Sequence, residues 1–154
     1  MTSASDDKPI VTASPACLMH EADESYMGYF DAAELIVFLN GLLEDVRASG
    51  RVVNAIARKT KEASAAAIHT DDMQACALLG QHIARLSGVA SGKTGSLYEE
   101  AMAVAELRER LLVLARGRSA LARRMAEALP RVRDDRLRAD LAGMLRGLEA
   151  DILC

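Results

Sequence analysis

Hydrophobic residues recur along most of this chain at alternating spacings of three and four residues, beginning near residue 29. That spacing places them on one face of an α-helix that packs in a bundle. It predicts a first helix from Gly28 or Asp31 to about Arg58. The inward-facing positions of this helix are Leu35, Leu39, Leu42, Val46, Ser49, Val53 and Ile56.

Three later stretches have the same periodicity and predict three further long helices. The second helix ends at Ser87-Gly88, since glycine commonly follows a helix C-terminus. Its inward positions are Ile68, Asp72, Ala75, Leu79, His82 and Leu86. Those of the third are Leu107, Leu111, Leu114, Arg118, Leu121, Met125 and Ala128. Those of the fourth are Leu137, Leu141, Leu145, Leu148 and Ile152.

The lengths of the connections predict how these helices are arranged. The first turn lies at Lys59–Lys61 or, as the alternative, at His69–Asp71, and Pro130 with Asp134-Asp135 marks the last turn. A longer segment rich in Gly and Ser, with a short helix over Leu97–Val104, joins the second helix to the third. Two hairpins joined by a crossover are the topology of ferritin-like four-helix bundles.

Composition supports one all-α domain over residues 28–154, preceded by a polar, mobile tail over residues 1–27. The chain has 154 residues, 51% of them hydrophobic and only 3% aromatic, with three prolines. No apolar run approaches the roughly 18–20 residues of a membrane span. The N-terminus has no basic start followed by an apolar stretch, so it is not a secretory signal. The three cysteines, Cys17, Cys76 and Cys154, form no C-x-x-C spacing, which indicates reduced thiols in a cytoplasmic protein.

Charge is distributed unevenly along the chain. Residues 1–45 carry nine acidic residues and one Lys, whereas residues 106–154 carry eleven Arg and eight acidic residues. The basic residues alternate with acidic ones at helical spacing, which favours an ion-paired helix surface. Aromatic residues that would stack on bases are not interleaved with them. We therefore expect no nucleic-acid partner and no membrane partner.

The crossover contains a sequence that approaches the phosphate-binding loop G-x-x-x-x-G-K-[ST]. Gly92, Lys93 and Thr94 match its second half, but Ser87 stands at the position of the first glycine. The motif also needs a preceding β-strand to direct its backbone amides, and here an amphipathic helix precedes it. We expect a flexible connection without nucleotide.

Several short stretches between residues 30 and 152 resemble the ferritin-like superfamily of rubrerythrins and bacterioferritins. More closely, the chain is similar to a group of uncharacterised bacterial ferritin-like domains. The stretches are Glu34-Leu35, Leu42–Glu44, Arg47–Gly50, Asp71-Asp72, Cys76–Leu79, His82–Leu86, Thr94-Gly95, Tyr98-Glu99, Arg116-Gly117 and Ala128–Asp135. The resemblance implies a bundle whose middle holds two metal ions in the metal-binding members. In those members the first and third helices each give a Glu, and the second and fourth each give a Glu-x-x-His.

The ligand positions that the resemblance implies are mostly occupied by residues that cannot bind metal. Pairing the helices about their turns sets Val46 level with Asp72, and Arg118 level with Leu148. Val46 then replaces the first Glu, Asp72-x-x-Ala75 and Leu145-x-x-Leu148 replace the Glu-x-x-His motifs, and Arg118 replaces the Glu of the third helix. Asp72 is the one carboxylate left. We expect it to form a buried ion pair with Arg118, the alternative being that either side chain reaches solvent at the bundle edge.

An unconventional metal site would have to use other residues near the middle of the bundle. The candidates are Asp72, Cys76, His82, Glu44 and Glu149. A packed core histidine and a buried small thiol are the simpler interpretations of His82 and Cys76. The other histidines, His20 and His69, lie near no nucleophile motif, so no catalytic residue is expected.

Three functions follow from these observations. The first is a metal-free, degenerate ferritin-like module without cofactor that acts through protein interaction or as a homodimer. The second is a metal-dependent oxidoreductase or iron-handling protein with iron or manganese in the unconventional site. The third is a small-molecule-binding bundle with a pocket near Asp72 and Arg118, suited to an anionic head and an apolar tail.

Overall fold

The computed structural model of the chain describes residues 28–153, with only the backbone described at 152 and 153. This part of the chain is all-α, as the sequence predicts. Its helices are α1 (Ala32–Thr60), α2 (Ala63–Arg85), α3 (Leu97–Met102), α4 (Leu107–Ala128) and α5 (Asp135–Leu153), with a 3-10 turn at Leu129–Arg131. The predicted tail, Cys17, His20, Cys154 and the side chain of Ile152 lie outside the described residues.

The helix α1 begins at a capping box. Asp31 accepts a hydrogen bond from the backbone N–H of Glu34 at 2.8 Å, and the Glu34 carboxylate accepts one from the backbone N–H of Asp31 at 3.3 Å. Such a cap contributes about 0.5–2 kcal/mol. The helix ends at Lys61, whose φ of 56° is left-handed, and α2 begins two residues later. The first turn is therefore at the predicted Lys59–Lys61 region, and the alternative at His69–Asp71 is wrong.

The crossover is attached to α1 along its length. Asn40 donates to the carbonyl of Val89 and accepts from the backbone N–H of Ser91, and the N–H of Gly95 donates to the carbonyl of Glu44. Arg47 donates to two further carbonyls of the segment. The segment that approaches the phosphate-loop sequence follows α2, as expected, but these hydrogen bonds fix it against α1, so it is not the flexible connection that the sequence predicts.

The second hairpin joins α4 to α5 and returns the chain to the start of α1. The backbone N–H of Phe30 donates to the carbonyl of Arg131 at 2.9 Å, and the Arg131 guanidinium lies over the Phe30 ring. The start of α1 and the end of α4 therefore lie at the same end of the bundle. The helix α1 packs against α2, α3 and α4, while α5 packs against α4 and less extensively against α2.

The predicted inward positions form the core with one clear exception. All seven positions of α1 are buried, as are the four described positions of α5. Each fully buried leucine, such as Leu39 or Leu141, contributes about 1.5–3 kcal/mol of hydrophobic free energy. Leu111 was expected to face inward but is 44% exposed, because no other element within residues 28–153 covers this position of α4. None of the helices in residues 28–153 combines the length and apolar character that crossing a bilayer requires.

Candidate functional site

A buried polar network joins four helices at the middle of the bundle. Arg118 of α4 donates from Nη1 to both carboxylate oxygens of Asp72 in α2, at 2.8 and 3.1 Å. The same nitrogen lies 2.6 Å from Oγ of Ser49 in α1, and Ser49 Oγ donates to Asp72 Oδ2 at 3.1 Å. Asp72 and Arg118 are 4% and 5% exposed. The expected ion pair is therefore present, and neither side chain reaches solvent.

The other end of the guanidinium is bound by α5. Nη2 of Arg118 donates to Oδ2 of Asp151 at 2.7 Å. One guanidinium thus contacts two carboxylates, and its Nε is buried without an acceptor among the described residues. In the planar guanidinium fork, the Nε–H and one Nη2–H lie along the same edge. The unpartnered donor therefore lies on the Asp151 side of Arg118.

Close approach of α1 and α2 brings Ser49 to Asp72. Gly50 follows Ser49, and a Cβ added there would lie 2.8 Å from the methyl carbon of Met73 and 3.3 Å from Cβ of Asp72. The carbonyl of Gly50 also lies 2.9 Å from Nδ1 of His69. A side chain at this position would require the flexible end of Met73 to move and Cβ of Asp72 to shift by a few tenths of an ångström, so the glycine permits the present close approach of α1 and α2.

Burial and charge act in opposite directions on Asp72. Burial raises the pKa of its carboxyl above the ordinary value, Asp151 raises it further, and Arg118 and Ser49 oppose the rise. Removing a buried carboxylate from water is costly unless it is paired and hydrogen-bonded. Arg118 therefore offsets part of the free-energy cost of burying the Asp72 carboxylate in this layer of the bundle.

His82 belongs to a second polar chain, nearer the α4–α5 turn. Its Nε2 lies 2.6 Å from Oδ2 of Asp140, and Nη2 of Arg85 lies 2.9 Å from its Nδ1. Arg85 can only donate, so Nδ1 accepts and the ring proton sits on Nε2, which donates to Asp140. Arg85 also donates to Asp134 at 2.7 Å. Both nitrogens of His82 are therefore occupied by protein partners.

The remaining residues named for an unconventional metal site do not converge. Glu44 accepts a hydrogen bond from Ser91 of the crossover, and Glu149 is exposed on α5. Cys76 packs against the core, and burial raises the pKa of its thiol. Within residues 28–153, no three His, Cys, Asp or Glu side chains are grouped so that they could hold a metal ion.

A cleft lies beside the network, between α2 and α5. Its volume is about 500 Å³, and Val46, Asp72, Arg118 and Leu148, the four residues expected at one level, all line it. Asp140 and Asp151 also face it. Val46 and Leu148 have apolar side chains. The additional hydrogen bonds of Arg118 go to Ser49 and Asp151, which lie one turn further along α1 and α5.

Asp140 and Asp151 are the residues that sequence reasoning missed. Each lies three residues after a buried leucine, Leu137 or Leu148, at the edge of the inward face of α5. That spacing was a usable signal, because residues three apart in a helix are neighbours. Ser49 was assigned to the inward face of α1 but was not expected as a partner of Arg118.

Comparison with known proteins places the chain in a family without assigning it an activity. No curated protein has significant similarity to the chain. No solved structure matches it significantly either. The profile of one family covers residues 33–153, which includes the network and both walls of the cleft. The chain therefore belongs to the family described as Domain of unknown function (DUF6306).

Proposed function

We propose that this domain is a metal-free bundle of the ferritin-like type that acts by binding a partner or ligand instead of by redox chemistry. The observation that carries the proposal is the position of Arg118. The resemblance places a metal-ligating Glu there, whereas this chain has a guanidinium fixed by Asp72, Ser49 and Asp151.

The donor set does not suit a di-metal centre. Two divalent cations need several carboxylates to neutralise them and imidazoles to complete their coordination. Here both carboxylates of the layer are hydrogen-bonded to Arg118, and His82 is bonded to Asp140 and Arg85. A permanently charged guanidinium at the same level repels a cation. The residues present therefore fit an internal ion-pair network better than iron or manganese.

The volume of the cleft and its position between helices support ligand binding there. Ligand sites in helical bundles lie between the helices, with volumes of about 300–1,000 Å³. The cleft between α2 and α5 falls in this range at about 500 Å³. Its walls are partly apolar and carry polar groups that belong to the central network.

The proposal is tested by metal analysis of the protein purified without chelators. We expect substoichiometric iron and manganese, and no acceleration of ferrous oxidation above the buffer rate. A bacterioferritin carried through the same purification and assay is the positive control. One or two iron or manganese ions per chain, with oxidase activity, would overturn the proposal in favour of a metal-dependent oxidoreductase.

Self-association remains part of the proposal. Large apolar side chains are exposed at Val37 of α1 and at Leu111 and Leu112 of α4, with 73%, 44% and 51% of their surface accessible. Exposed apolar surface favours association with another chain. Light scattering coupled to size-exclusion chromatography tests it: a mass of two chains supports the homodimer, and a monomer at high micromolar concentration contradicts it.

A further inference from the structure

The cleft between α2 and α5 is bordered by two glycines that packing does not require. Gly143 and Gly147 lie one turn apart on α5 and both face the cleft. A Cβ at Gly147 would meet no atom within 4 Å, and one at Gly143 would meet only the end of Arg146 at an ordinary 3.7 Å. Glycine inside a helix costs about 0.5–1 kcal/mol relative to alanine. The two residues thus lower helix stability and keep the cleft open.

The charge of the cleft excludes one class of occupant. Four carboxylates (Asp71, Asp72, Asp140 and Asp151) and two guanidiniums (Arg118 and Arg146) line it, which gives a formal charge of −2. Arg118 is already bound to two of the carboxylates, so its charge is not available to an anion. An anionic head, which the sequence suggested for a pocket here, would meet net repulsion. A cation would be attracted.

The other lining residues indicate which further chemical groups a cationic ligand needs. Apolar side chains, including Ala75, Leu78, Met125 and Met144, form much of the wall, so the occupant needs an apolar body. Arg118 lines the cleft, but its Nε, which has no acceptor among the described residues, is enclosed by protein and cannot be reached by an occupant.

We infer that this cleft binds a small organic amine that carries an apolar body. The inference rests on the proposed function as a binding module and names the class of ligand. The ammonium group lies at Asp71 and Asp140, the two carboxylates of the cleft that are not bound to Arg118, and the apolar body lies against α2 and α5.

The experiment compares aromatic probes of similar size that differ in charge. Phenethylamine, 2-phenylethanol and 3-phenylpropionate are titrated into the full chain by calorimetry at pH 7. We expect phenethylamine to bind at least about tenfold more tightly than the alcohol or the carboxylate, a difference of about 1.4 kcal/mol. The affinity of phenethylamine falls as salt is raised, because salt screens the attraction.

Two glycine substitutions distinguish binding in the cleft from binding elsewhere on the helix surface. Gly147→Leu fills the cleft and is expected to abolish amine binding. Gly80→Leu is the matched control, because Gly80 also lies in a helix with no atom within 4 Å of its Cβ but outside the cleft lining. It should retain wild-type affinity. Thermal unfolding of both variants checks that each is folded.

The outcomes distinguish this inference from the proposed function. Absence of amine binding at millimolar concentration, preference for 3-phenylpropionate, or unchanged binding in folded Gly147→Leu would each overturn the inference. Should Gly147→Leu not fold, the order of the three probe affinities and the salt dependence of amine binding decide by themselves. The metal analysis decides separately whether the domain is a redox protein.

Discussion

Nη1 of Arg118 lies 2.8 Å from Oδ2 of Asp72, and both side chains are buried at the middle of the bundle. The Arg comes from α4 and the Asp from α2, on either side of Ser49 in α1. A buried pair of this kind adds little net stability over apolar residues of the same size, because both charges lose their hydration. The pair is therefore best detected through the free energy of unfolding that is lost when one partner is removed.

Replacing Arg118 with Leu should destabilise the domain by roughly 3–5 kcal/mol. The substitution leaves Asp72 and Asp151 without their cation, and Asp72 is only 4% exposed. Denaturant-induced unfolding followed by circular dichroism measures the change in the free energy of unfolding. If the variant unfolds at the wild-type midpoint, the ion pair does not hold this layer together.

Removing the charged pair as a whole provides the matched control. In the double variant Asp72→Leu, Arg118→Leu no unpaired charge remains at position 72, so we expect most of the loss seen in the single variants Arg118→Leu and Asp72→Leu to be recovered. The coupling free energy between the two positions should therefore be several kcal/mol. Additive effects of the two single substitutions would show that the residues are energetically independent.

The close approach of α1 and α2 at Gly50 makes a second prediction. Gly50→Ala places a methyl group 2.8 Å from the side chain of Met73 and 3.3 Å from Cβ of Asp72. Met73 can move, but the backbone of α2 must shift to release Asp72, so we expect a loss of about 1–2 kcal/mol. Gly80→Ala is the control and should stabilise by about 0.5–1 kcal/mol, because nothing lies near its Cβ. Equal unfolding midpoints for the two variants would contradict the close contact.

Much of the fold could be predicted because helical periodicity depends only on local spacing. The inward positions of α1 from Leu35 to Ile56 follow from 3.6 residues per turn, and all of them are buried. The order of short turn, crossover and short turn likewise follows from Gly, Pro and polar runs. Leu111 fails because periodicity places a residue on a face without showing whether another helix covers that face.

Asp72 was predicted as the partner of Arg118, but Ser49 and Asp151 were not, because those contacts depend on the length and tilt of the Arg118 side chain. Pairing about the turns gives the level of each Cα, and on that basis Val46 and Leu148 were expected opposite Arg118. Side chains in a helix slant towards its N-terminus. The chain of α4 runs towards the start of α1, so this slant carries the guanidinium towards later residues of α1 and α5, namely Ser49 and Asp151.

Cys76 should react slowly with alkylating agents. Its thiol is partly buried against the core, and burial raises its pKa, so the thiolate that reacts is scarce at pH 8. We expect iodoacetamide to modify it well below the rate of a free cysteine, and denaturant to restore that rate. Mass spectrometry of a Cys17→Ser, Cys154→Ser protein isolates the signal of Cys76. Modification at the free-cysteine rate in the native protein would instead indicate an activated thiol.

The stability of the fold should fall at low pH because Asp134, at the start of α5, becomes protonated. Its carboxylate accepts a hydrogen bond from Arg85 at 2.7 Å and another from the backbone N–H of Leu137 at 2.9 Å, and these lower the pKa of Asp134 from 3.8 to about 2. Because the folded pKa lies below the unfolded one, the carboxylate stabilises the fold fully above about pH 4, and this stabilisation is lost as the pH falls towards 2.

The variant Asp134→Asn isolates this effect, because its amide oxygen can still cap α5 while its charge is gone. Both side chains of the Arg85–Asp134 pair are about one-third exposed, at 38% and 30%, so we expect a loss of no more than about 1 kcal/mol at pH 6. Urea unfolding of wild type and variant at pH 6, 4 and 2.5 should show a difference in unfolding free energy that is nearly the same at pH 6 and pH 4 and smaller at pH 2.5. A difference that stays constant over this range would mean that Asp134 acts through its cap alone and that its charge does not stabilise the fold.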